Sequence, residues 1–322
     1  MSQARHLTVV PFLVIFVLSG CMSALQAKAN GELTHHLGNG VLAATWSFGS
    51  GFVLITIWLL LSPRMRAGLR ELPDALRSGR LAWWAVPAGV LGGLYILCQS
   101  LAVAMVGVAL FAIGLVAGQV TLSLIADRFG FGPVGRLALS GTRIASAGIA
   151  FVAVVLGVLA RVGALDLAPA AAVLAFVGGS LVAVQHAIAG RTTVALGQPL
   201  TTTWLNFLFG TGVLGVITLV AIGTGVHVTA PTSGPWWMYG GGVTGVIFII
   251  TLSWGVPRYG ALVMSLITIA GQLALALVLD ALIPTGNVPI TPLLIVSVAL
   301  TFVAVALPAW RRRVSVIAPP EE

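Results

Sequence analysis

The chain has 322 residues, of which 58% are hydrophobic and only 7% are charged, whereas soluble globular chains are roughly 25% charged. Eight acidic and sixteen basic residues are too few to cover the surface of a water-soluble protein of this length, so the composition excludes a soluble fold. The net charge of +8 does not indicate nucleic-acid binding, because the basic residues are scattered between apolar runs rather than clustered on one face.

Charge-free windows along the chain predict ten membrane-spanning helices. A membrane helix needs about 20 apolar residues to cross about 30 Å of hydrocarbon. The windows 81–126 and 192–257 are each long enough for two crossings, with a tight hairpin near 103–107 in the first and a Pro- and Gly-containing loop at 229–235 in the second. The ten predicted spans lie in residues 7–27, 41–62, 81–126 (two spans), 144–160, 167–190, 192–257 (two spans), 259–279 and 281–310.

The first window admits a second interpretation. The sequence Leu18-Ser19-Gly20-Cys21 follows Arg5 and an apolar stretch, as in the signal segment of a bacterial lipoprotein. The same window is long enough to be a first span, and it takes part in the internal repeat described below. We therefore interpret it as a membrane helix.

The distribution of basic residues predicts the orientation in the membrane. Short loops rich in Lys and Arg stay on the cytoplasmic side. If the N-terminus is cytoplasmic, all Lys and Arg residues except Lys28 and Arg161 fall on that side, and so does the C-terminus. We interpret the arginine-rich segment 63–80 as a cytoplasmic loop, although Met65, Leu69 and Leu72 have the spacing of a helix that could lie on the anionic inner leaflet.

The two halves of the chain are similar in sequence. Gln26 and Phe48 recur at one offset as Gln185 and Phe207. The sharpest repeat is the block Gly118-Gln119-x-x-Leu122-x-Leu124-x-x-Asp127, which returns at 271–280. We expect two five-helix repeats, 1–165 and 166–322. Since five is odd, the second repeat enters the membrane from the opposite side, and such inverted repeats are typical of transporters.

Several of these motifs resemble a known family. Ala24-Leu25-Gln26-Ala27-x-x-Asn30-Gly31, Trp46-Ser47-Phe48-x-x-Gly51 and the repeated Gly-Gln to Asp block are similar to the YdcZ-like inner-membrane exporters of the drug/metabolite transporter superfamily. The resemblance covers almost the whole chain, once per half. It implies an all-α fold of ten transmembrane helices, as two inverted five-helix repeats, and small-molecule export across the bacterial inner membrane.

The second half departs from the family pattern. Asn30, Trp46 and Ser47 are replaced there by Ala189, Leu205 and Asn206. Family members are often single five-helix units that pair in opposite orientations, and this chain resembles a fused pair. We therefore expect an asymmetric site, and whether the chain forms a homodimer stays open.

Polar side chains within the predicted spans are the candidates for substrate binding. Gln119 and Gln272 each lie eight residues before an aspartate that closes a span, about 12 Å deeper at helical rise, so both are expected near the midplane. The alternative is that each amide simply bonds a neighbouring helix. Further substrate-binding candidates are Trp46, Tyr95, Asn206 and Trp254, although aromatic residues near span ends also serve as interfacial anchors. Gln26, Gln185, Asp127 and Asp280 are predicted at helix ends, as gates or caps.

The sequence predicts a transporter rather than an enzyme. It contains no HExxH motif, no P-loop and no close carboxylate pair within a span, and we expect neither cofactor nor metal. No acidic residue falls at mid-span, so a strongly cationic solute would lack a counter-charge. We expect a small neutral, zwitterionic or weakly amphipathic solute and the lipid bilayer as partners. His186 has no acidic neighbour, so we interpret it as a packing residue. The alternative function is a passive channel, or an assembly subunit without transport coupling.

Overall fold

The computed structural model describes residues 3–131, 140–160, 167–225, 234–259, 261–284 and 290–315, without the side chains of 3–14, 127, 252–266 and 308–315. The described residues form α-helices and two short 3-10 helices, η1 and η2, and include no strand. The elements are α1 (Gln3–Leu37), α2 (Gly40–Leu61), α3 (Pro63–Arg77), η1 (Trp83–Ala88), α4 (Gly89–Val106), α5 (Val108–Phe129), α6 (Gly141–Leu159), α7 (Ala168–Leu196), α8 (Pro199–Gly223), η2 (Trp236–Gly240), α9 (Gly241–Tyr259), α10 (Ala261–Leu282) and α11 (Pro292–Ser315).

Six helices within the described ranges are long and apolar enough to cross a membrane. They are α2, η1 with α4, the first nineteen residues of α5, α6, α7 and α8. Three shorter apolar segments follow, at Trp236–Thr251, Ile267–Leu282 and Pro292–Leu307. Large apolar side chains such as Leu61, Leu219 and Trp236 lie on the outside of the bundle, where lipid rather than water suits them. The chain is thus a helical membrane protein.

The first helix is longer than predicted. α1 continues to Leu37, where Gly38 with φ 63° ends it, so the expectation that the span stops at Ala27 is wrong. Lys28, expected in a loop outside the membrane, lies inside the helix and is 1% exposed. Its ammonium group pairs with Glu32 one turn later, at 2.5 Å. The buried charge is tolerated because this partner neutralises it.

The arginine-rich segment is a helix rather than the loop that we expected. Ser62 caps its N-terminus through the Met65 N–H, and Pro63 occupies the first turn, where its missing N–H costs nothing. The polar α3 turns Met65, Gly68 and Ala75 toward α7 and α8 and leaves its arginines outside. The described residues therefore form eleven α-helices instead of ten, and α3 is the additional one.

The bundle has two ends, which we name by the elements they contain. α1 and α4 run parallel, since Gly31 lies against Val103 close to the end of both helices. The α1–α2 end therefore holds the Leu37–Gly40 connection and the turn at Gly107 between α4 and α5. The opposite end, the α3 end, holds α3 and η1.

The first helices of the two halves run in opposite directions. α7 passes α4 antiparallel: Gln185 lies against Gly92 near the start of α4, whereas the earlier Gly178 lies beside Tyr95. Because α1 and α4 are parallel, α7 is antiparallel to α1. α7 consequently ends at the α3 end, where the turn at Gly197 leads into α8.

Several crossings between a helix of the first half and a helix of the second half have an equivalent crossing in which the two halves have swapped roles. Gly20 of α1 packs against the backbone of Thr268 in α10, and Gly179 of α7 packs in the same way against Leu115 in α5. A Cβ atom at either glycine would overlap the carbonyl oxygen of the facing residue. The helix pairs α4–α7 and α9–α1, and α4–α8 and α9–α2, correspond in the same manner. α5 lies at the centre, with every residue from Val106 to Gly118 buried.

Candidate functional site

A stripe of buried polar side chains runs along α1. Its members recur every three or four residues, so they share one helix face. Polar groups inside a membrane bundle bond a neighbouring helix or mark a pathway, because hydrocarbon offers them no partner. The stripe consists of Ser19, Ser23, Gln26, Asn30 and Thr34, none of which is more than 9% exposed.

Three of the polar side chains form a continuous hydrogen-bonded chain between α1 and α4. The Asn30 Nδ2 donates to Gln99 Oε1 at 2.8 Å, and the Gln99 Nε2 donates to the Tyr95 hydroxyl at 2.9 Å. Ser23 of the α1 stripe lies beside the Tyr95 hydroxyl. Tyr95 and Gln99 are four residues apart on α4, which places both on the face toward α1. Asn30 and Gln99 are completely buried.

The chain of hydrogen bonds ends on an acceptor without a partner. The Asn30 Oδ1 and the Ser47 Oγ of α2 are buried, and neither has a hydrogen-bond partner in the part of the chain that the structure describes. Both atoms point at Gly241, the first residue of α9: a Cβ there would overlap the Asn30 Oδ1 and lie 2.8 Å from the Ser47 Oγ. Two unpartnered polar atoms from different helices thus converge on one point.

Charged groups near this cluster have bonding partners. Lys28 pairs with Glu32, and Asp280 accepts hydrogen bonds at 2.9 Å from the Val108 N–H and the Ala109 N–H at the start of α5. No three His, Cys, Asp or Glu side chains come together as a metal site would require, as far as the described residues extend. The cluster therefore offers amide and hydroxyl groups but no net charge.

The two predicted glutamines lie at equivalent helix crossings. Gln272 of α10 contacts α1 at Gly20, and Gln119 of α5 contacts α7 at Gly179. Gln272 is buried, and its Nε2 has no hydrogen-bond partner within the described ranges, whereas Gln119 is half-buried. They belong to different helix pairs, and their role in substrate binding stays a prediction.

The other substrate-binding candidates are spread over the bundle. Tyr95 belongs to the hydrogen-bonded chain. Trp46 lies near the α1–α2 end, where its Nε1 donates to the Tyr239 carbonyl at 3.3 Å, and it lines an apolar groove of about 810 Å³. Asn206 is half-buried, with its backbone against Gly89 of α4. The Trp254 side chain lies outside the described residues.

The residues predicted at helix ends have different settings. Gln26 and Gln185 are each buried eleven residues before the end of their helices, so the expected position near a helix end is wrong for both. Each packs against a glycine of a helix from the other half, Gly245 and Gly92 respectively. Asp280 lies two residues before the end of α10, and the Asp127 side chain is outside the described part. Their action as gates stays a prediction.

Sequence reasoning did not select the residues that the structure joins most closely. Asn30 and Ser47 entered only as family motif positions, and Gln99 was not considered. The spacing Tyr95-x-x-x-Gln99 in a charge-free window was the available signal, since it puts two polar groups on one face of a membrane helix. His186 lies on the exposed outside of α7 rather than in the packed interior that we expected.

Comparison with known proteins agrees with the architecture. The family described as "Putative inner membrane exporter, YdcZ" matches residues 11–156 and 170–307, one segment in each half of the chain. No curated protein matches the chain. The two matched segments are consistent with a duplicated arrangement and cover most of the sequence. The protein therefore belongs to the YdcZ family of inner-membrane exporters.

Proposed function

We propose that this protein is a secondary transporter that exports a small neutral, zwitterionic or weakly amphipathic solute across the bacterial inner membrane by alternating access. The observation that carries the proposal is the hydrogen-bonded chain Tyr95–Gln99–Asn30, which places uncharged hydrogen-bonding groups inside apolar helices. Such groups are costly in hydrocarbon and mark pathways in membrane bundles. Family membership supports the direction of transport.

The proposed architecture is ten membrane spans arranged as two inverted five-helix repeats, 1–165 and 166–322. The antiparallel course of α1 and α7 supports it, as do the exchanged glycine crossings at Gly20 and Gly179. In this arrangement α3 is a surface helix without a counterpart among the described residues of the second half. Two antiparallel repeats around a shared pathway can exchange conformations, which opens the pathway to either side in turn.

In the proposed orientation, the α3 end faces the cytoplasm together with both termini. Arg64, Arg66, Arg70 and Arg77 lie exposed on α3, within one polar segment. Lys and Arg in short connections are retained on the cytoplasmic side. The α1–α2 end then faces the periplasm, and Asn30 and Ser47 lie closer to that side.

Two measurements test this function. Cells with and without the protein are compared for the metabolites that they retain, and the retained solutes are then tested for counterflow in proteoliposomes. A carrier accelerates exchange of labelled against unlabelled solute, whereas a passive channel gives flux without acceleration. Gly148→Ala is a suitable folded control, because a Cβ at this exposed position meets no atom within 4 Å. Flux without counterflow would replace the carrier by the channel alternative.

A further inference from the structure

We propose that Asn30 and Ser47 form a subsite that binds a hydrogen-bond donor, an N–H or O–H group, of the transported solute once α9 withdraws from α1 and α2. The inference rests on the proposed transport function and goes beyond it, because it names the group that the solute must carry. Its basis is the pair of unpartnered polar atoms that meet at Gly241.

Unpartnered buried polar atoms are rare in folded proteins and need an explanation. The Asn30 amide is held in place by its bond to Gln99, which fixes the direction of the remaining Oδ1. Ser47 is 1% exposed, and its hydroxyl can accept a hydrogen bond as well as donate one. Neither polar atom has to give up a hydrogen bond within the protein when a ligand binds. This fits a binding subsite better than a packing contact.

The residue that now occupies the subsite is glycine, for a steric reason. Any side chain at Gly241 would collide with the Asn30 Oδ1, so only a Cα atom fits between α1 and α2. Gly242 and Gly245 continue this contact along α9, against Gly51 and Gln26 respectively. Small residues let helix backbones approach closely, and the glycines at this turn of α9 carry no side chains that must disengage before it moves.

The subsite is covered from the α1–α2 end by a small apolar lid. The lid is built from the buried Leu33, Ala43 and Met238, with Trp237 packed against them. Met238 belongs to η2, which leads directly into Gly241. A movement of η2 with the first turn of α9 would therefore open the lid by withdrawing Trp237 and Met238, and it would free the Asn30 and Ser47 side chains together. Ser47 lies about 10 Å along α2 from this end, within reach of an entering solute.

Ser47→Ala is the sharpest variant. If Ser47 only packs, removing a hydroxyl without a partner leaves stability unchanged or raises it, and transport is unaffected. If Ser47 binds the solute, the same variant keeps its unfolding temperature but slows exchange about tenfold, the factor that one lost hydrogen bond can give. Ser100→Ala is the matched control, because Ser100 is also buried with an unpartnered hydroxyl among the described residues but is not aimed at Gly241.

The probe is a mixture of isotope-labelled amino acids and linear polyols, whose counterflow in proteoliposomes is read by mass spectrometry. A second mixture contains the same solutes with every N–H and O–H methylated. We expect the donor-bearing solutes that exchange to lose at least about tenfold in rate on methylation. Equal rates for both forms, or a Ser47→Ala variant that exchanges like the unmodified protein, would overturn the subsite and leave the carrier function standing.

A labelling experiment tests the opening without transport. In a background carrying Cys21→Ala and Cys98→Ala, Ala43→Cys reports whether the lid is open to a membrane-impermeant maleimide. We expect slow reaction in this background, because Ala43 is fully buried, and at least about tenfold faster reaction when Gly241→Ala forces α9 away from Asn30. Unchanged labelling would overturn the proposed opening. Faster labelling without counterflow of any probe by the unmodified protein would overturn the transport function instead.

Discussion

The two ends of the bundle are built from equivalent positions but differ in chemistry. At the α1–α2 end, Asn30 and Ser47 face Gly241 with unpartnered polar atoms. The positions that correspond in the repeat at the α3 end are Ala189, Asn206 and Ala88. That end is closed by a larger apolar cluster, which includes Ala85, Ala88, Ile188, Leu196 and Leu205.

The difference between the two ends distinguishes structural features that both halves share from polar features that only one half carries. Both halves share the glycine crossings that set helix positions, such as Gly20 and Gly179. The hydrogen-bonded chain belongs to the first half alone, since Tyr95 and Gln99 correspond to Phe248 and Leu252. Equivalent substitutions at the glycine crossings of the two halves should therefore have equal effects on stability. Equivalent substitutions at the positions of the hydrogen-bonded chain should have unequal effects on transport.

The largest effect is expected at the shared crossings. Gly20→Val and Gly179→Val should each destabilise the protein by about 3 kcal/mol or more, because the new side chain meets backbone atoms that have no room to move. Thermal unfolding in detergent measures the change, with Gly148→Val on the exposed face of α6 as control. A large effect at one glycine and none at the other would show that the two crossings are not equivalent.

The next largest effect is expected in the hydrogen-bonded chain. Gln99→Leu gives the first half the second half's residue and leaves the Asn30 Nδ2 without its acceptor, which should cost about 1 to 3 kcal/mol. Asn30→Leu combined with Gln99→Leu should recover much of this lost stability, because both partners are then apolar. Solute exchange should be abolished in the single Gln99→Leu variant and in the double variant alike. Unfolding and counterflow are measured on the same samples, and additive losses in the double variant would contradict the pairing.

A smaller effect is expected at Asp280. Asp280→Asn keeps one acceptor for the two N–H groups at the start of α5, so it should cost about 1 kcal/mol, and Asp280→Ala about twice as much. Denaturant unfolding tests the order of the two variants. Transport by the folded fraction should persist in both, since Asp280 caps α5 outside the polar chain.

The smallest effect is expected on α3, for which the described part of the second half holds no equivalent helix. Glu71→Gln removes the partner of Arg80 from an ion pair in which both side chains are nearly half exposed. Exposed pairs contribute little, so stability should fall by about 0.5 kcal/mol or less, and less still at high salt. The unfolding temperature of the variant is measured over a range of salt concentrations. A large decrease relative to the unmodified protein would mean that α3 contributes substantially to the stability of the bundle.

The parts of this fold that could be predicted are those that leave a local signature. Apolar windows indicated most of the helices, and the hairpin near Gly107 is present as expected. The duplication could be recognised because packing glycines must stay glycine wherever backbones touch, as at Gly118 and Gly271. α3 was interpreted as a loop although Met65, Leu69 and Leu72 have helical spacing, because this spacing alone does not distinguish a surface helix from a polar loop.

The parts that could not be predicted depend on partners distant in sequence. From the sequence, Lys28 has the character of a loop residue. Only the burial of α1 shows that Lys28 needs a partner, which Glu32 supplies one helical turn later. Asn30 meets Gln99 across 69 positions, and no local pattern predicts that pairing. Gln119 and Gln272 had the clearer sequence signal, because they repeat, but repetition here accompanies helix crossings.

The pairing of Lys28 with Glu32 has an electrical consequence. One positive and one negative charge lie on successive turns of α1 and move together. A displacement of these turns would carry no net charge through the transmembrane potential, which otherwise contributes about 2.3 kcal/mol per elementary charge at 100 mV. The membrane potential would then do no net work on this pair of charges.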